Sequence, residues 1–102
     1  MTNLEERFYQ AMIEIYKAAK KDCKYNAARF LNMVNDQGGV AAARTLVMSD
    51  TPSDGFTTLW LCERLDLTVE AHVVKPEFEA LFTEEVRPKA RERLVEHEYT
   101  FE

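Results

Sequence analysis

The two histidines, His72 and His97, are the side chains best suited to acid–base work near neutral pH. His72 stands in Ala71-His72-Val73 with no Cys or Ser beside it to complete a nucleophile–base unit, and His97 lies between Glu96 and Glu98. The HExxH pattern, which sets two zinc ligands and a base on one helix face, is absent. Paired carboxylates recur at Glu77/Glu79, Glu84/Glu85 and Glu96/Glu98. General acid–base catalysis needs two environments that drive the pKa values of such a pair apart, and these pairs sit in charge-rich segments that read as solvated helix faces. Gly38-Gly39 ahead of a helix could cradle a phosphate, yet no Lys-Ser or Lys-Thr follows and no GxGxxG accompanies it. A glycine closing the preceding helix is the commoner arrangement. Cys23 and Cys62, 39 positions apart, belong to no metal-ligand spacing and read as buried, reduced thiols, with a single disulfide as the weaker alternative. The residues therefore call for no catalytic set, no cofactor and no metal.

Two polar groupings remain as candidates. Asp54, Arg64, Asp66 and Glu70 flank the apolar anchors Phe56, Trp60, Leu65 and Leu67, and an arginine between acids can tie a corner by bidentate hydrogen bonds or hold a ligand or partner. Lys17, Lys20, Lys21, Lys24 and Arg29 form the nearest approach to a basic patch, opposed by Asp22. They fall where the first helix should end, so complementing the helix dipole is the favoured explanation and phosphate binding the alternative. The net charge is −5, with residues 1–51 near neutral at +1 and residues 52–102 at −6, the opposite of a nucleic-acid binder's usual balance.

The elements that must position these groups follow from apolar spacing. From Asn3 to about Cys23, Leu4, Phe8, Ala11, Met12, Ile15, Ala18 and Ala19 share one helix face. Tyr9, Ile13 and Tyr16 add a second strip beside it, so the apolar arc exceeds what a surface helix needs. Either other helices of the chain cover that strip or a partner does, which makes Tyr9, Ile13 and Tyr16 the candidate interface. Asn26 is expected to cap a second helix over about 27–37, ended by Gly38-Gly39, and a third runs from about 40 to 48. The polar stretch 49–55 separates two halves. Ser53 or Asp54 should cap a fourth helix carrying Phe56, Leu59 and Trp60 inward, and Asp66 a fifth. A strand competes with that fifth helix because Leu67-Thr68-Val69 and Val73-Val74 favour β structure. Pro76 opens a short helix. The last helix, about 84–97 with Val86, Ala90, Leu94 and Val95 inward, contains Pro88, which predicts either a kink or a turn at 84–87 and a fresh start. Tyr99 and Phe101 in the tail have to dock if that end is not to fray.

At 102 residues with 46% apolar and 30% charged side chains, this is one globular domain with an all-α architecture, a compact bundle of five to seven short helices. Three glycines and three prolines are too few for the turns of a sandwich or barrel. No apolar run approaches the length of a membrane span, and the start lacks a signal-like segment, so a cytoplasmic setting without membrane contact is expected.

Residues 25–99 resemble a small bacterial helical domain family, through Arg29-Phe30-Leu31-Asn32-Met33-Val34, Gly38-Gly39, Ser53-Asp54-Gly55-Phe56-Thr57, Leu59-Trp60, Arg64-Leu65-Asp66-Leu67-Thr68-Val69-Glu70 and Leu81-Phe82-Thr83-Glu84-Glu85. The resemblance implies an accessory, non-catalytic module, found alone or joined to nuclease-like and other defence-associated proteins of bacteria or phage. It carries no catalytic residues over. The family often has a proline near Ala27 and a glycine near Glu98, both absent here. The expected function is thus a helical binding module acting on a protein partner or on a second copy of itself, with nucleic-acid binding or nuclease targeting as the alternative.

Overall fold

The structure is a computed structural model and describes residues 3–99. It is an all-α bundle: α1 (Asn3–Cys23), α2 (Ala28–Gln37), α3 (Gly39–Met48), α4 (Asp54–Leu61), a 3₁₀ turn (Leu65–Leu67), α5 (Val69–Val73), a second 3₁₀ segment (Pro76–Leu81) and α6 (Val86–Glu96). No strand occurs among the described residues, and the competing β reading of 67–74 is resolved as a 3₁₀ turn followed by helix.

The core forms around α1. Phe8, Met12 and Ile15 are buried against Val34, Ala42, Ala43 and Val47, and α3 in turn packs on α5 and α6. Phe8 meets Phe78 and Phe82 edge-on, with ring centroids 4.9 and 5.1 Å away, which fastens the second 3₁₀ segment to α1. The double glycine makes this crossing feasible. Gly38 has φ 86° and ψ 161°, a conformation open essentially to glycine alone. A Cβ on Gly39 would stand 3.1 Å from the Tyr9 Cα, so α3 approaches α1 backbone to side.

The wide apolar arc of α1 is covered from within the chain. Tyr9 and Ile13 pack on the core, the Tyr9 hydroxyl donates to Asn35 Oδ1 at 2.9 Å, and the Tyr16 hydroxyl donates to Asn26 Oδ1 at 3.2 Å. Asn26 is therefore engaged sideways. The cap position of α2 falls on Ala27, without a side-chain bond, instead of on Asn26 as expected. Ser53 caps α4 by accepting from the Phe56 N–H. Asp66 does not cap the fifth helix: Thr68 does, accepting from the Ala71 N–H while donating to the Leu65 carbonyl at 2.7 Å. A hydroxyl can do both, and a carboxylate cannot. In α6 the helix begins at Val86, after a turn at 84–85. Pro88 thus lies in the first turn, where its missing N–H is one of those without an intrahelical partner anyway, and no kink is required.

Cys23 and Cys62 are joined as a disulfide, which corrects the expectation of free thiols. Sequence spacing could not show it, because the pairing is made by tertiary structure: the end of α1 meets the end of α4. The bond closes a loop over a separation of 39 residues. Chain entropy assigns such a loop about 4 kcal/mol. Replacing both cysteines by serine is expected to lower the unfolding free energy by about 2–4 kcal/mol in urea denaturation with the helical circular dichroism retained; an unchanged midpoint would contradict this.

Candidate functional site

The four residues of the expected polar corner do not converge. Arg64 and Asp66 do meet: Nε and Nη2 of Arg64 donate to the two carboxylate oxygens of Asp66 at 3.0 and 3.1 Å, while Nη1 reaches Asp22 Oδ2 at 2.7 Å. These bonds push the guanidinium further above its already high range and hold the Asp66 carboxyl below the usual aspartate value. The triad stands beside the disulfide, since Asp22 precedes Cys23 and Arg64 follows Cys62 by two. It is a fastener between α1 and the turn after α4. Asp22, read from the sequence as a mere counter-charge in the basic patch, is one of its three members.

Glu70 lies elsewhere, 2% exposed in α5, with Oε2 accepting from Nη1 of Arg93 at 3.0 Å. Arg93 also donates to the Leu46 carbonyl at 3.3 Å and to the Ser49 carbonyl at 2.6 Å, so its guanidinium spans α5, α6 and the end of α3. Burial pushes the Glu70 carboxyl above the ordinary glutamate value, and the Arg93 hydrogen bond and charge pull against it. Arg93 belongs to the charge-rich last helix, whose paired carboxylates read from the sequence as lying on solvated faces. The corrective signal was its position seven residues after Val86 and three after Ala90, on the inward stripe of α6. Lys89 and Arg87 act alike: Lys89 donates to the Met48 carbonyl at 2.9 Å and Arg87 to the Val74 carbonyl at 3.0 Å. Three cations of one helix thus satisfy carbonyls at the C-terminal ends of two others.

Asp54 is exposed at the first turn of α4, at the mouth of an open cavity of about 220 Å³ lined by α1, α2, α4 and α5. Of the basic candidates, Lys17, Lys20, Lys21 and Lys24 are exposed along the last turns of α1 and just beyond it, Lys17 lies 3.7 Å from Glu14, and Arg29 reaches the same cavity mouth. They are not brought together as one groove.

The feature that sequence reading placed wrongly is the far end of α4. Trp60 was expected inward, yet it is 43% exposed, and Leu61 is 72% exposed. Val95, also expected inward, is exposed on α6. Trp60 is held by His97, whose ring stands edge-on to it and to Phe56 with both centroids at 4.8 Å. His97 is itself fixed by Nδ1–H donation to the Arg93 carbonyl at 2.8 Å. Trp60, Leu61, Leu65 and Tyr99 line a shallow groove rimmed by Glu63, Asp66 and Glu98. Tyr99 is thereby positioned, while Phe101 lies outside the described residues.

Glu63 and Glu98 share an uncommon trait. Both occupy the left-handed region, at φ 63° and 62°, directly after a helix. The N–H of Arg64 bonds to the Leu59 carbonyl and that of Tyr99 to the Leu94 carbonyl, so each glutamate fills the position of a helix-closing turn that glycine usually takes. Both carboxylates also stand at the negative ends of helix dipoles, where an anion is disfavoured. Glycine would be the conformationally relaxed residue at either position.

Among the described residues no group of three or more His, Cys, Asp or Glu side chains is placed to hold a metal ion, and no helix is long and apolar enough to cross a membrane.

Two outcomes are expected from the buried groups. Glu70→Gln, which strands the Arg93 charge, is expected to cost about 3–5 kcal/mol, whereas Glu70→Gln combined with Arg93→Met should recover a large part of it in a double-mutant cycle. His72 is half-buried with Nδ1 donating to the Thr68 carbonyl at 2.8 Å, and burial pushes its imidazole below the ordinary 6.5. The unfolded chain therefore takes up the proton first. The stability owed to neutral His72 is fully present above pH 6.5 and is lost as pH falls from there through the depressed native value. The excess stability of the native chain over His72→Gln should accordingly shrink between pH 7 and pH 5, and the His72 ring resonance should titrate below 6.5 in NMR.

No family model, no curated protein and no solved structure matches this chain.

Proposed function

We propose that this chain is a non-enzymatic binding module that acts through protein–protein contacts made at the groove of Trp60, Leu61 and Leu65. The observation that carries the reading is the exposure of a tryptophan and a leucine side by side, 43% and 72%, in a chain whose other large apolar groups are mostly packed. Tryptophan is the residue most enriched in binding hot spots, and here its ring is held in place by His97 rather than free to turn inward. The rim supports a partner of definite chemistry. Glu63 and Glu98, together with the negative ends of α4 and α6, favour a segment that offers an apolar anchor flanked by lysine or arginine. Self-association through the same face would bring the two acidic rims together, which disfavours a homodimer at this surface.

The Tyr9, Ile13 and Tyr16 strip, covered by α2, supplies less surface for this purpose than the groove does. The runner-up reading, nucleic-acid binding or nuclease targeting, is supported by the exposure of Lys17, Lys20, Lys21 and Lys24 on one end of α1. A gel shift that weakens steeply with salt would favour it. The resemblance of residues 25–99 to a bacterial accessory domain points to recruitment in a defence-related setting. In the cytoplasm, the compartment that we carry forward, reductants would act on the Cys23–Cys62 bond and leave the Asp22–Arg64–Asp66 triad to hold that corner.

Panning a random peptide library over the full chain, with counter-selection on Trp60→Ala, tests the proposal. Peptides with an apolar residue between basic ones should be enriched. Glu63→Gly and Glu98→Gly should each raise the unfolding free energy by about 0.5–1 kcal/mol, by relieving left-handed strain, and yet weaken those peptides' binding. Failure to enrich any Trp60-dependent peptide would overturn the reading.

A further inference from the structure

A separate site lies at the opposite end of α4. The cavity of about 220 Å³ is walled by Ile15, Phe30, Met33, Phe56, Leu59 and Val69. Well-packed interiors hold few voids larger than a water molecule, and a dry apolar cavity of about 150 Å³ is already large enough for benzene. This one is therefore large enough for a bicyclic aromatic. Its walls offer water few partners, and its mouth at Tyr25, Arg29, Asp54 and Gly55 gives a way in.

The polar inventory of the inner surface sets the ligand's chemistry. The Thr68 hydroxyl gives its proton to the Leu65 carbonyl and accepts from the Ala71 N–H, so it has no donor left to offer a ligand. Glu70 accepts from Arg93 through Oε2, and a carboxylate has about four acceptor sites, so it retains acceptor capacity and has no proton to give when ionised. The Arg93 guanidinium is spent on Glu70 and the carbonyls of Leu46 and Ser49. A ligand reaching the floor thus meets an acceptor, and must bring the donor. A carboxylate ligand would face Glu70 and be repelled. An added cation would find the Glu70 charge already answered by Arg93 and would have to pass Arg29 at the mouth.

We infer that this cavity binds a small, neutral, planar aromatic molecule bearing one N–H or O–H donor, of the size of indole, with its donor on the Glu70 carboxylate.

The test is an amide NMR titration of the full, disulfide-bonded chain with three probes: indole, 1-methylindole, which lacks the donor, and indole-3-carboxylate. Indole is expected to give saturable shifts centred on Phe30, Met33, Phe56 and Val69. 1-Methylindole should bind about tenfold more weakly, the equivalent of one hydrogen bond to a charged acceptor, and the carboxylate should not saturate. Gly55→Leu should block entry, because a Cβ at Gly55 meets only Ser53 and Tyr25 at 3.8 Å and leaves the longer side chain to fill the mouth. No saturable shift with indole, equal affinity for indole and 1-methylindole, or shifts centred on Trp60 would each overturn the inference. The three-probe series on the unaltered chain decides the matter even if Gly55→Leu does not fold. The test is separate from that of the groove, since the three probes are compared in the absence of any peptide.

Discussion

The bundle depends on one buried contact, the guanidinium of Arg93 laid between Glu70 and the carbonyls of Leu46 and Ser49. Taking both charges out of water is expensive, and an apolar pair of the same volume could match or exceed the stability they supply. Geometry is the better account of their presence. A planar fork with fixed donor directions can satisfy three acceptors only when α5, α6 and the end of α3 stand in one mutual arrangement, which greasy contacts alone would specify loosely. Glu70 is at once the partner of that fork and the floor of the cavity, so the contact that sets the helix register also sets the polarity of that floor.

The chain manages short helices by attending to their ends. Apart from α1, the α-helices run from 5 to 11 residues, below the length at which a helix holds itself in water, and each leaves carbonyls without intrahelical partners. Where two such ends face the interior, α6 provides cations: Lys89 and Arg93 for α3, Arg87 for α5. At the solvent-facing ends of α4 and α6 the treatment is reversed, with glutamates in a strained conformation at the wrong pole of the dipole. Both departures from the local optimum fall on the rim of the same groove as the exposed tryptophan. Lys24, at φ 54° after the end of α1, is left-handed in the same way outside the groove, so closing a helix on a residue other than glycine is a recurrent device of this chain.

What could be read from the residues was whatever is decided locally. The length of α1, the break at Gly38-Gly39 and the Ser53 cap follow from periodicity and from backbone or hydroxyl chemistry within a few positions, and all are present. What escaped is decided across the chain. Arg93 and Glu70 are 23 positions apart, Cys23 and Cys62 39, and a charge or a thiol on a helix says nothing by itself about which distant element it will meet. Asn26 was a reasonable cap until Tyr16 of α1 claimed its oxygen, whereas Asp66 lost that role locally, to Arg64 two positions before it. Trp60 was misplaced for a related reason. Its apolarity argued for the interior, and it lies four positions after Phe56 on the same side of α4, but its ring is taken up by His97 at the edge of that side and stays 43% exposed.

The groove and the cavity are joined by three rings. Phe56 walls the cavity, its ring meets the edge of His97 at 4.8 Å, and His97 meets Trp60 at 4.8 Å in the groove. The middle ring has little freedom of its own, because its Nδ1 is tied to the Arg93 carbonyl, in the backbone of the residue whose side chain holds Glu70. Contact of this kind is a route and not yet a coupling, which would need an energy difference between two arrangements of the rings. A planar ligand lying against Phe56 would shift Trp60 only to the extent that it favoured one Phe56 position over another, and by the same free energy a groove partner would alter the cavity's affinity. With His97 pinned, the arrangement favours transmission by small rotations of Phe56 and Trp60 about a fixed imidazole over any movement of α4 as a whole.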